Sequence, residues 1–206
     1  MQRILIHTTE EGQNEFCAGT LPANVSFVFD FDEFISTPAE VYIDLLFVNE
    51  SSRIVSLKAV KGLVIINSVV DTLHHLQVPF IRMSAWPGFS DTLIEGSCLN
   101  EDLKHTAETV FRNLGKQIEW LPDEPGFVTP RVISMIINEA YFALEEGVSA
   151  KKEIDTAMKL GTAYPYGPFE WGQRIGLKNV VALLRGLSAK KPQYEPAPLL
   201  IKEAGL

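Results

Sequence analysis

Short apolar runs alternate with polar or amphipathic stretches through the first 80 residues. β-Branched and aromatic residues concentrate in Arg3–His7, Val25–Phe29, Val41–Val48, Leu63–Ile66 and Phe80–Met83, and these segments read as strands. Most of them are apolar at successive positions, as strands covered on both faces must be. Between them, Ser51–Val60 and Val69–Leu76 are long enough to cross back over a sheet. The pattern therefore predicts βαβ units and a parallel sheet.

Beyond about residue 100 the pattern becomes helical. Glu101–Leu114 places Leu103, Ala107, Val110 and Leu114 on one face, with Gly115 as a stop. The clearest helix follows, with Thr129 as its cap, Pro130 at its first position and Gly147 at a left-handed stop. Within it Val132, Ile133, Ile136, Ile137, Ala140, Tyr141 and Leu144 make a broad apolar stripe. One stripe of that width cannot serve both core and solvent, so a dimer interface is expected there. Ser149 is read as capping a helix through Ile154, Ala157 and Met158 that ends at Gly161. Pro168 opens another helix, and Leu177, Val180, Val181, Leu184 and Leu187 mark the last. Pro192, Pro196 and Pro198 predict an extended tail from Lys190 to Leu206. Pro122 and Pro125 bracket two carboxylates where the patterns change, which gives an α/β domain over 1–122 and a helical domain over 123–206.

Composition narrows the function. With 206 residues, 46% of them hydrophobic, the chain can bury a sizeable core. Its net charge of −8 and lack of any basic cluster exclude nucleic acid and anionic membranes as partners. Cys17 and Cys98 offer neither a disulfide framework nor metal-ligand spacing, so no metal is expected. Runs such as Leu45–Val48 are too short for a membrane, and the opening residues lack a signal-peptide pattern. A cytoplasmic protein is expected.

Residues 123–132, Asp-Glu-Pro-Gly-Phe-Val-Thr-Pro-Arg-Val, resemble the D-x-P-G-F-x-x-N-R entry to the C-terminal domain of 3-hydroxyacyl-CoA dehydrogenases. The likeness continues in order through Asn138-Glu139-Ala140, Glu146-Gly147-Val148, Ile154-Asp155, Ala157-Met158 and Gly161. It then runs through Gly167-Pro168-Phe169 and Gly176-Leu177 to Tyr194, Pro196 and Pro198, covering about residues 114–200. The resemblance implies a Rossmann-like parallel sheet, here shortened, followed by the family's helical domain. It also implies a dimer, acyl-CoA thioester substrates and NAD as hydride acceptor.

Against that family the first half departs at its chemistry. The G-x-G-x-x-G turn that lets backbone approach a pyrophosphate is replaced by His7-Thr8-Thr9-Glu10-Glu11-Gly12. Each carboxylate there opposes a phosphate by about 1–4 kcal/mol at 4 Å. Asp30, closing the second strand, is the candidate for a cofactor ribose. Aligning Pro87 with the family's H-F-F-N-P segment puts Met83 at the catalytic histidine and keeps Glu95 at the glutamate that orients it. Pro130 stands at the family's asparagine. Asn67-Ser68-Val69 matches its serine loop, with Val69 at the serine. Asn67, Ser68 and Trp86 are the candidate substrate cleft, and His7 is the candidate replacement base. Arg82 is a candidate ion-pair partner for Glu95, while His74, His75 and His105 fall on predicted helices. The expected function is that of a family member without its usual NAD-binding and catalytic set, holding an acyl-CoA thioester or acting non-catalytically. The alternatives are an active dehydrogenase with an altered site and a dimerising interaction subunit.

Overall fold

Among the described residues, seven short strands form one sheet: β1 (Ile4–His7), β2 (Val25–Val28), β3 (Val41–Asp44), β4 (Leu63–Asn67), β5 (Ile81–Met83), β6 (Leu93–Cys98) and β7 (Gln117–Trp120). Their spatial order is β2-β1-β3-β4-β5-β6-β7. Neighbours are parallel except β5 and β6, which run antiparallel. The computed structural model describes residues 2–16 and 22–206, so Cys17 lies outside the described residues. It divides into two units, an α/β unit of residues 1–85 and 91–124 and a helical unit of residues 86–90 and 125–206.

In the α/β unit the two-residue period of the strands sorts side chains onto two buried faces. Ile4, Ile6, Ile43, Ile65, Ile81 and Met83 share one core with Phe16 of α1 (Glu10–Phe16) and Val110 and Phe111 of α5 (Glu101–Asn113). Leu5, Tyr42, Val64 and Ile66 point the other way. There they meet Phe34 of α2 (Phe31–Ser36), Leu57 of α3 (Ser51–Ala59) and Leu73 and Leu76 of α4 (Leu73–Leu76). Helices on both faces explain why the strand segments are apolar without alternation.

Several expectations are corrected. β3 stops at Asp44, because the chain turns at Leu45–Leu46 and the apolar run to Val48 leaves the sheet. The helix expected from Val69 shrinks to one turn, held by the Thr72 hydroxyl accepting from the His75 amide. α1 and α2 were not signalled by an apolar stripe, since each presents mainly one buried phenylalanine. The purely helical reading after residue 100 misses β7, an edge strand whose Gln-Ile-Glu-Trp alternation is only half-buried.

The helical unit packs α6 (Thr129–Glu145), α7 (Lys151–Thr162), α8 (Pro168–Ile175), α9 (Leu177–Ser188) and α10 (Pro198–Glu203). Its core joins Ile133, Ile137 and Tyr141 of α6 to Trp171 of α8 and Val180, Val181 and Leu184 of α9. Each such side chain contributes about 1.5–3 kcal/mol on burial. Gly147 holds a left-handed φ of 71°, and the Val148 amide reaches back to the Ala143 carbonyl at 3.0 Å, as a helix stop requires. Thr129 lies inside α6 rather than capping it, and Ser149 gives its hydroxyl to Glu153 while Ala150 occupies the cap. α7 passes through Gly161 and stops at Ala163, left-handed at φ 56°. The tail is not extended: Pro198 starts α10, whose Leu200 enters the core. Asn138 fastens this tail, donating to the Glu195 carbonyl at 2.9 Å and accepting from the Ala197 amide at 2.8 Å.

Candidate functional site

Chain order reverses between β1 and β3, with β2 on the far side of β1. In open α/β sheets, ligands gather at the carboxyl ends of the strands flanking such a point. Register places His7, the last residue of β1, directly beside Asp44, the last of β3. The His7 Nδ1 lies 2.9 Å from Asp44 Oδ1. Arg53, brought over the sheet by α3, donates to Asp44 Oδ2 at 2.8 Å and Oδ1 at 2.7 Å, and its Nη2 is 3.0 Å from His7 Nδ1. The guanidinium sits 4.1 Å above the ring of Phe31, and His7 stacks on Phe34 at 5.3 Å. Asp44 is fully buried and His7 only 4% exposed. Burying a carboxylate there without its guanidinium would be strongly unfavourable, so these groups hold one another in place. At the switch point, then, the side chains of His7, Asp44 and Arg53 are bonded to one another.

Neighbouring strand ends are likewise committed inward. Asp30 follows β2, and its carboxylate caps α2 by accepting from the Glu33 amide at 2.8 Å. Asn67 ends β4, donating to the Leu45 carbonyl at 3.1 Å and accepting from the Ala85 amide at 3.0 Å. Ser68 gives its hydroxyl to the Asp71 carbonyl at 2.7 Å. Val69 is buried. Met83 is fully buried in the α1/α5 core, where an apolar side chain belongs. Glu95 lies in β6 in register with Glu119, and its carbonyl accepts from the Ser84 amide.

Arg82 is buried, and its guanidinium belongs to Asp123, at 2.5 Å, and to the carbonyls of Ser68 and Glu124. Burial pulls the Arg82 pKa down from its ordinary value against these partners. Burial alone would raise the Asp123 carboxyl. The amides of His74 and Leu73 and the Arg82 guanidinium outweigh that and hold it below the usual carboxylate range. Trp86 and Pro130 belong to the helical unit, Trp86 packed on its core and Pro130 buried in the first turn of α6.

The structure thus gathers His7, Asp30, Asn67 and Ser68 at the carboxyl edge of the sheet. Asp44 and Arg53, the partners that define His7, were missed. The available signal was a carboxylate inside an otherwise apolar strand, followed nine residues later by an arginine on the return helix. Among the described residues no cluster of three His, Cys, Asp or Glu could hold a metal, and no helix is long and apolar enough to cross a membrane.

The helical unit carries a second feature. A cavity of about 580 Å³ opens along α6, lined by Arg131, Val132, Met135, Ile136, Glu139 and Met158 among others. It is the outer half of the apolar stripe whose inner half forms the core. At the entry to α6, Gly126 has φ 83°, and the Arg131 side chain bonds the Pro125 carbonyl at 2.6 Å.

Comparison with known proteins places these features. Residues 126–204 match the model of the 3-hydroxyacyl-CoA dehydrogenase C-terminal domain. The chain is 42% identical over 92 residues to the 3-hydroxyadipyl-CoA dehydrogenase of Escherichia coli, covering 44% of this chain and 19% of that one. It is 38% identical over 119 residues to a 3-hydroxybutyryl-CoA dehydrogenase of Bradyrhizobium diazoefficiens, covering 55% and 40%. It therefore spans less than half the length of either relative. The crystal structure of (S)-3-hydroxybutyryl-CoA dehydrogenase from Ralstonia eutropha superposes with a TM-score of 0.70 at 25% identity, over 89% of this chain and 70% of that one.

Proposed function

We propose that the chain is a member of the 3-hydroxyacyl-CoA dehydrogenase family, whose C-terminal domain its residues 126–204 match, and that it binds an acyl-CoA thioester as a homodimer without hydride-transfer activity. One observation supports this reading: Arg53, Asp44 and His7 bond one another at the switch point where the family's fold would receive a dinucleotide. NAD does not fit the residues present. The first turn offers Thr8 and Thr9 in place of glycines, and Glu10 and Glu11 occupy the first turn of α1. Gly12 is no substitute, because the Thr8 hydroxyl lies 2.5 Å from where its Cβ would stand. Buried Met83, at the aligned position of the family's base, accepts no proton at neutral pH.

Thioester binding is supported by the relatives, whose names specify hydroxyacyl-CoA compounds. Calorimetric titration with acetoacetyl-CoA tests it, and saturable binding is the expected result. The competing reading makes His7 the base with Asp44 orienting its ring. It predicts turnover that His7→Gln abolishes.

The dimer rests on the outer face of α6. Arg131, Met135 and Glu139 follow one another at four-residue spacing along the cavity, with Val132 and Ile136 beside them. Two such helices packed antiparallel about a two-fold axis would set each Arg131 against the opposing Glu139, with Met135 at the axis. Sedimentation should give twice the chain mass, and Met135→Glu should give monomers with an unchanged circular dichroism spectrum.

A further inference from the structure

The chain as a whole is acidic, with 26 acidic residues against 18 lysines and arginines, yet one stretch of the helical unit reverses that balance. From Trp171 to Tyr194 there are five basic residues, Arg174, Lys178, Arg185, Lys190 and Lys191, and no carboxylate side chain. All five are exposed. Apart from Lys190 and Lys191 they are dispersed in sequence, and helical winding gathers them. The seven residues from Lys178 to Arg185 make two turns of α9, so the two side chains share a face about 10 Å apart. Lys190 and Lys191 follow directly on the end of α9 and extend the row to about 20 Å.

Four of these cations are unanswered. The Arg174 guanidinium lies 4.4 Å above the Tyr166 ring, but among the described residues Lys178, Arg185, Lys190 and Lys191 make no ion pair. Carboxylates on the elements packed against α9 are committed elsewhere. Glu170 of α8 accepts from Lys159 and the Gly167 amide, Glu203 of α10 from Lys151 and Tyr141, and Glu145 of α6 from the Leu199 amide. Glu139 lines the groove on the outer face of α6. A helix favours cations at its carboxyl end, which accounts for Arg185, Lys190 and Lys191. It disfavours them in its first turn, where Lys178 stands, so helix electrostatics does not explain the row.

We infer that the exposed face of α9 docks an acidic helix of a partner protein, its carboxylates on Lys178, Arg185 and the Lys190–Lys191 pair. Carboxylates two turns apart on a helix repeat the interval between Lys178 and Arg185. Between these cations stand exposed Ala182 and Gly186, and nothing lies within 4 Å of where a Gly186 Cβ would be, so a second helix can approach closely. A short acidic segment is favoured over a nucleic acid or an anionic membrane. Either of those carries negative charge well beyond a row of about 20 Å and meets the rest of a chain whose net charge is −8. The face uses neither the groove along α6 nor the switch point, and it does not rest on thioester binding.

The test is an NMR titration of the full chain at low salt, following backbone amides with three capped alanine-based peptides. The first carries glutamates two turns apart on one helical face. The second has the same composition with its glutamates spread around the helix, and the third has glutamine for glutamate. The first should give saturable shifts at Lys178, Ala182, Arg185 and Lys190, weakening as ionic strength rises to about 0.15 M. The second should bind several-fold more weakly and the third not at all. The double variant Lys178→Gln, Arg185→Gln should weaken the first peptide by roughly tenfold, while Lys152→Gln on α7 leaves it unchanged. These positions are exposed, and an unchanged urea midpoint shows that each variant is folded. The proposal is overturned by an absence of saturable shifts, by equal affinity for the second peptide, or by wild-type affinity in the double variant. It is also overturned if a single-stranded oligonucleotide or anionic vesicles bind the same residues as tightly. Shifts at these amides on concentrating the chain alone would make a second copy the occupant and overturn it too.

Discussion

The two units use polar groups in opposite ways. In the α/β unit, charged side chains are drawn into the interior and bonded to each other, with Arg53 on Asp44 and Arg82 on Asp123. In the helical unit, ion pairs such as Lys159–Glu170 and Lys151–Glu203 stay partly exposed at the rim, and an apolar groove remains open. Charges turned inward and paired there hold the strand ends together. Charges kept at the rim leave the apolar face of α6 lining an open groove. The family likeness is concentrated in the second kind of region, whose spacing pattern is set by helix packing rather than by a reaction.

The largest effect that sharpens this contrast is expected at Asp44. Asp44→Ala leaves Arg53 and His7 without their carboxylate and should cost about 3–5 kcal/mol in urea unfolding. Replacing Asp44 and Arg53 together by leucines should cost less than the single alanine, because no charge is then stranded. An equal or greater loss in the double variant would break the contrast. Next comes the helical core: Ile137→Ala removes apolar volume only and should cost about 2–5 kcal/mol with no change in pH dependence.

A smaller effect separates two aspartates by sign. Asp123 is held below the ordinary carboxylate range, so it contributes stability above about pH 4 that is lost as pH falls through its folded value. Asp155 of α7 is pushed the other way, chiefly by burial, although it accepts from the Phe169 amide at 2.8 Å. Its ionisation opposes folding, so the fold loses stability as pH rises from about 4 through its folded value. Asp123→Asn should therefore be less stable than the wild type at pH 7, with the gap closing in acid. Asp155→Asn keeps the acceptor for Phe169 and should be more stable at pH 7, with the difference vanishing below about pH 4. Thermal unfolding of both variants from pH 3 to 7 checks the signs. The smallest effect is at Leu160, 82% exposed, where Leu160→Lys should stay within about 0.5 kcal/mol of the wild type.

The sequence made these regions legible to different degrees. The helical unit could be read because α6 repeats its apolar positions at helical spacing and Gly147 marks its end with a conformation few other residues accept. The parallel strands could be read because burial on both faces leaves unbroken apolar runs. β7 escaped because an edge strand of four residues has little to bury, and α10 escaped because Pro198 breaks a chain or starts a helix depending on what Leu200 can reach. At the candidate site His7 was visible as a strand-end histidine. Its pairing with Asp44 depends on which strand lies beside β1, and its pairing with Arg53 on where α3 returns, and neither is written in local spacing. Arg82 was a candidate partner for a Glu95 left without its histidine. The structure gives its guanidinium to Asp123, 41 residues on, because the entry to the helical unit carries that carboxylate back to β5.

The proposed function, with Arg53, Asp44 and His7 bonded together at the switch point and Met83 buried, allows no hydride transfer. Absorbance at 340 nm, followed with NADH and acetoacetyl-CoA both present at saturating concentration, tests it most directly. A flat trace is expected from protein that binds the thioester in parallel calorimetry. A fall in absorbance at a catalytic rate, scaling with protein concentration, would contradict it.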